Sequence, residues 1–245
     1  MRIAIQLSGE PRFTIGFQFF LDNLKGYDQA DWFVYLTNNN EKEKKDVHLP
    51  ETWKKFEVEW AIEKIKTNLP KNNYLQDFEI SNVHELSWPL SVKNIHCLMG
   101  TNSVERVYKM HYNIFKANQL RINYQEANNI KYDFIVRPRP DNDVDCVIDL
   151  RNLKISDDEI IMPKNNWFGH EKINMITNDQ FAIGTPTSMN VYSELVNFIK
   201  EYNDNGVRFH PESLFAHHLH VRNIKTIRGD FESYVKRLPF LENWC

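Results

Sequence analysis

Along this chain, short apolar runs of strand length alternate with longer segments in which apolar residues recur every three or four positions. Residues 3–7 (IAIQL) read as a buried strand, residues 8–12 as a strand-to-helix turn and residues 13–24 as an amphipathic helix. A second strand falls at 32–36 (WFVYL), followed by a polar, charged loop over 38–45 and a helix over 52–66. From 71 to 98 the pattern is weak, with 77–83 its strand-like stretch. The longest helical pattern covers 103–128, where Val104, Val107, Tyr108, His111, Ile114, Phe115 and Leu120 fall on one stripe. It leads straight into a strand at 132–136. Beyond it come a strand at 160–162, an aromatic and polar loop at 165–170, and a turn at Asn178 entering a strand that ends at Gly184. A helix over 186–202 with Pro near its start, a helix from Pro211 to about His220 and a strand at 224–227 close the order.

Strands alternating with helices predict an α/β domain with a mostly parallel, Rossmann-like central sheet and helices on both faces. No internal repeat breaks the pattern, and one domain over 1–245 is the expectation, with 1–145 and 146–245 as its two halves. Ligands in such sheets gather at the carboxyl ends of strands. Ser8, Gly9, Arg12, Thr37, Asn38 and residues 137–143 all fall there.

The chemistry concentrates in Arg137-Pro138-Arg139-Pro140-Asp141-Asn142-Asp143. Each proline pushes the arginine before it into extended backbone and removes a donor that a sheet neighbour would use, so the chain is expected to leave the sheet here. If extended backbone persists through Asn142, alternation turns Arg137, Arg139, Asp141 and Asp143 to one side. Guanidinium charge keeps the aspartates ionised, and ionised carboxylates are the hard oxygen ligands that Mg2+ or Mn2+ prefers. A nucleoside diphosphate would complete the ion's shell. The plainer account is an exposed, internally paired turn.

Composition narrows the classes. With 245 residues and 42% hydrophobic content the chain can bury a large core. A formal net charge of -3 leaves no basic excess for tracking nucleic acid. Cys97, Cys146 and Cys245 are widely spaced, without Cys-x-x-Cys, and no Asn-x-Ser/Thr sequon occurs, which suits a reducing, cytoplasmic setting. No signal peptide or membrane span is read, leaving peripheral membrane association through a partner open. Oligomeric state is not legible.

IAIQLSGEPR, YDFIVRPRPD after a long helix, NDQFAIGTPTSMNVYSEL and HPESLFAHHL, taken in order over most of the chain, resemble GT-A-like glycosyltransferases of lipopolysaccharide and surface-glycan synthesis and of large-virus genomes, including WavE-type proteins. The resemblance implies a nucleotide-sugar donor, a glycan acceptor and a divalent ion held at Asp-x-Asp, here Asp141 and Asp143, with Asp143 the direct ligand and Asp141 nearer the ribose or a metal-bound water. It implies that Ser8, Gly9 and Arg12 contact base, ribose or phosphate. A further metal ligand near the C-terminus would be His217, although no Asp-x-His accompanies it.

Other candidates have two readings each. Asp179, between Asn178 and Gln180, is a general base toward the acceptor or a turn aspartate. Glu212 is catalytic or a helix-start charge. Lys109 approaches phosphate or is an exposed lysine, and Arg12 is a phosphate fork or a solvated side chain. Residues 141–145 begin like an EF-hand, but Cys146 and Asn152 occupy the glycine and glutamate positions. Gly-x-Gly-x-x-Gly, Walker and Gly-x-Ser-x-Gly motifs are absent. Two rivals stand beside the transferase: a metal-dependent phosphohydrolase with Asp141 as nucleophile, and a non-catalytic nucleotide or glycan binder using Trp167 and Phe168.

Overall fold

The computed structural model describes residues 1–9, 22–38, 58–82, 104–165, 168–170 and 175–235. A seven-stranded sheet has the order β12-β8-β11-β5-β1-β3-β4. Its strands are β1 (Arg2–Gly9), β3 (Gln29–Asn38), β4 (Asn73–Asn82), β5 (Phe134–Pro138), β8 (Glu159–Met162), β11 (Phe181–Gly184) and β12 (Lys225–Arg228). Neighbours pair in parallel except at β11, which runs against both β5 and β8. The sheet draws strands from both halves of the chain, and the α/β class with a mostly parallel sheet is as the alternation implies.

Helices lie on both faces. Ile3, Ile5, Leu7, Trp32, Val34, Leu36 and Val136 face a cluster that includes Ala61, Ile62 and Ile65 of α1 (Val58–Asn68). The intervening positions Ala4, Phe33, Ile135 and Ala182 face α2 (Val104–Ala127), α3 (Pro186–Ser193), α4 (Ile199–Asp204) and α5 (Pro211–Val221). Period-two alternation therefore feeds two apolar cores, and the central strands, buried on both sides, read as continuous apolar runs. Among the described residues no helix is long and apolar enough to cross a membrane.

Polar side chains are also buried on the α2 face, and most are paired. Gln6 donates to Asn118 at 2.7 Å and Thr37 to Asn113 at 2.8 Å, which pins α2 across β1 and β3. Near the start of β3, the fully buried Asp31 accepts from Arg2 Nε and Nη2 (2.7 and 2.6 Å), Tyr132 (2.8 Å), Gln29 (2.9 Å) and Gln76 (2.8 Å).

Several elements differ from expectation. The helix expected over 186–202 breaks into α3, a 3-10 turn at Glu194–Asn197 and α4. Ser193 Oγ bonds back to the Met189 carbonyl at 2.8 Å, a pattern that weakens and bends helices. The strand expected at 132–136 runs from 134 through Pro138, which pairs in register with Phe181. The proline is tolerated because pairing with β1 has already stopped at Val136. Short strands β2 (Leu24–Lys25), β6 (Asn142–Val144), β7 (Ile148–Asp149), β9 (Phe168–His170), β10 (Met175–Thr177) and β13 (Ser233–Val235) pair off the main sheet, β13 against β6 and β10 against β9. The expectations over 13–24 (all but its last residues), 39–45, the start of the 52–66 helix and 83–98 lie outside the described residues.

Candidate functional site

The strand ends of β1 and β5 meet. Gly9 has φ +136°, a conformation that side chains avoid, and a Cβ there would stand 3.7 Å from the Pro140 ring. The Ser8 hydroxyl just before it is buried and makes no hydrogen bond among the described residues.

Past β5 the backbone does not stay extended through Asn142 as expected. Asn142 N donates to the Arg139 carbonyl at 3.2 Å, closing a turn over Pro140 and Asp141. In that turn Arg139 grips Asp141 with a two-pronged fork, Nε to Oδ1 at 3.0 Å and Nη2 to Oδ2 at 3.1 Å. Burial alone would lower the Arg139 guanidinium, but Asp141, Asp179 and Glu212 outweigh it and hold it above its ordinary value. The acids are not an exposed turn: Asp141 is 1% and Asp143 6% exposed. Asp143, in β6 opposite Tyr234 of β13, accepts from Val144 N at 2.8 Å.

Because β11 runs against β5, the turn that precedes it arrives at the carboxyl end of β5 and brings Asp179 there. The Asp179 carboxyl is 7% exposed, and burial first, then the Glu212 carboxylate, push its proton affinity up, while Arg139 and Arg137 pull the other way. Glu212, in the first turn of α5, lies with Oε2 2.8 Å from His210 Nδ1. Arg137, Arg139, Asp141, Asp179 and Glu212 thus form one charged group at the strand ends.

Arg137 is 2% exposed. It donates through Nη1 to the Asp179 carbonyl, its Nε has no partner, and no carboxylate among the described residues pairs directly with it. Beside it on α2 stands His111, whose two ring nitrogens are buried without a hydrogen bond among the described residues and whose ring meets Phe215 edge-on at 4.6 Å. Burial, then the Arg137 charge, drive its pKa down to about 3. Tyr192, also stacked on Phe215 at 4.6 Å, has its phenol pushed up to about 12 by burial. The alphabet of the long helix carried His111 as one more stripe position; a histidine among apolar stripe residues was the available signal.

The remaining candidates are placed differently. Lys109 is buried on α2, not the exposed lysine of the plainer account. His217 packs edge-on against Tyr202 of α4 at 4.7 Å. His218 bonds the Tyr202 hydroxyl at 2.9 Å and the Val191 carbonyl at 2.8 Å, and burial lowers it to about 4. Asn38 ends β3 in register with Asn82. Arg12 and Trp167 lie outside the described residues. A cavity of about 240 Å³ lined by Asp22, Lys25, Tyr27, Pro70, Lys71 and Asn72 sits where β3 and β4 begin, away from this group.

The donor set suits a divalent ion in kind, since Asp141 and Asp143 are hard carboxylates, but not in number. Among the described residues no three His, Cys, Asp or Glu side chains gather to hold a metal, and Asp141 already gives both oxygens to Arg139. The described residues make no closed cage, and an ion there would need Asp143 and further oxygens from outside the protein. Compared with known proteins, the chain matches no family model and no curated protein.

Proposed function

We propose that the protein is a glycosyltransferase of GT-A type, moving a sugar from a nucleotide donor to a glycan acceptor with a divalent ion. The observation that carries the reading is the charged group at the strand ends. It holds a buried guanidinium, Arg137, paired directly with no carboxylate among the described residues, beside an acid, Asp179, of raised proton affinity. A buried cation left unpaired is expensive unless a ligand supplies the anion, and a diphosphate is such an anion. A buried acid of raised proton affinity is suited to general-base work.

In this reading Arg137 and the end of β1, Ser8 and Gly9, face the donor. Asp143, with Asp141 braced by Arg139, would hold the ion, whose chemistry would be to offset charge on the departing diphosphate. The bond from the anomeric carbon to the diphosphate oxygen breaks, the acceptor oxygen bonds to that carbon, and the hydroxyl proton passes to an Asp179 carboxylate oxygen. Glu212 keeps that proton affinity high. The phosphohydrolase alternative loses support, because a nucleophilic Asp141 would need an oxygen free of the Arg139 fork.

Thermal shift with UDP, GDP and CMP, each with and without Mn2+, tests the proposal. A nucleoside diphosphate is expected to stabilise the protein only with the metal, and Asp143→Ala is expected to abolish that stabilisation and all donor turnover while its unfolding in buffer stays near wild type. Full activity in Asp143→Ala would refute the assignment. Metal-linked binding with no turnover of any donor would leave a binder.

A further inference from the structure

Four stretches far apart in the chain meet beside the carboxylates in a closed circuit of amide hydrogen bonds. The Asn165 side chain pairs with both backbone groups of Ser233, Nδ2 donating to its carbonyl at 2.8 Å and Oδ1 accepting from its N–H at 3.0 Å. The Asn165 carbonyl accepts from Asn178 Nδ2 at 2.8 Å, and Asn178 Oδ1 accepts from Gln180 N at 2.7 Å. The Gln180 carbonyl then accepts from Asn142 Nδ2 at 2.9 Å and from Arg139 N at 3.1 Å. The circuit closes twice: through the pairing of β6 with β13, and through Ser233 Oγ, which donates to Gln180 Oε1 at 3.3 Å.

Asp143 follows Asn142 in this circuit, and Asp179 lies between Asn178 and Gln180. The linking side chains are all neutral, and the bonds that close the circuit go to backbone or to one another. They can therefore set where the acids stand without changing their charge. We infer that Asn165 is a positioning residue that couples docking of β13 to the separation between Asp143 and Asp179, and with it the gap between the diphosphate side and the acceptor side of the site. The functional half of this inference rests on the transferase reading; the coupling itself does not.

Amide hydrogen exchange on the full chain tests the coupling. Asn165→Ala is expected to speed exchange at Ser233, Asp145 and Gln180 by roughly tenfold or more, the scale of losing one or two buried hydrogen bonds, with the β3 amides unchanged. Faster exchange at Ser233 alone, with Gln180 and Asp145 as in wild type, would overturn it. Ser233→Ala removes only the hydroxyl bond, and is expected to raise exchange at Gln180 by roughly two- to fivefold; it decides the matter if Asn165→Ala does not fold. For function, kcat should fall roughly a hundredfold in Asn165→Ala while Mn2+-linked binding of UDP or GDP stays near wild type. Unchanged kcat would overturn the positioning role. A wild type that binds neither nucleotide would sink the transferase reading, and the exchange result would still stand or fall alone.

Discussion

The two ends of the sheet treat a buried aspartate in opposite ways. Asp31, near the start of β3, has an arginine fork, a tyrosine and two glutamines donating to it. Asp179, at the end where β5 stops, faces another carboxylate, and the arginine nearest its backbone bonds its carbonyl rather than its side chain. The donors around Asp31 satisfy its buried oxygens, whereas burial beside a like charge raises the proton affinity of Asp179. The first arrangement braces the fold, and the second leaves a carboxylate whose ionisation costs stability.

The largest expected effect tests the satisfied end. Asp31→Ala should lower the unfolding free energy by about 2–4 kcal/mol, because it strands a partly buried guanidinium and three further donors; denaturant titration measures it. A loss below about 1 kcal/mol would mean that Arg2 and Tyr132 find water instead, and the contrast would break.

Asp179→Asn should move stability the other way, by about 0.5–2 kcal/mol upward at neutral pH. A folded-state pKa raised above the unfolded one contributes stability while the carboxyl is protonated, and that contribution is lost as pH rises through the folded value. The variant's advantage should therefore grow from acid toward neutral pH, in melts run across that range, while donor turnover falls. If both aspartate variants destabilise equally, the comparison fails.

The smallest effect is at His111. Its pKa is depressed to about 3, so the unfolded chain binds the proton first, and stability is lost as pH falls from 6.5 toward 3. His218, lowered to about 4, adds to the same slope. His111→Leu should flatten the stability profile in that window without abolishing it, as urea midpoints at several pH values would register.

How much of this was legible follows from what each residue's environment demands. IAIQL and WFVYL are buried on both faces, so their apolar runs state the strand directly. Asp141 and Asp143 stood out because two prolines precede them, yet the turn over 140–141 escaped a reading that carried extended backbone on through Asn142. The three-residue partners β6 and β13 are too short for any period to register, and they meet only through a pairing between positions about 90 apart in the chain. Asn165, Asn178 and Gln180 look like loop filler until their bonds are traced. The break after Ser193 depends on a side chain choosing its own helix's carbonyl, a choice invisible to hydrophobic spacing.

The reversed direction of β11 has a bearing on engineering. Chain added ahead of this strand would extend the rim where Asp179 stands, whereas chain added after it, toward Thr185, would emerge at the far edge. Libraries aimed at reshaping the surroundings of Asp179 belong upstream of Phe181, and reporter tags belong downstream of Gly184.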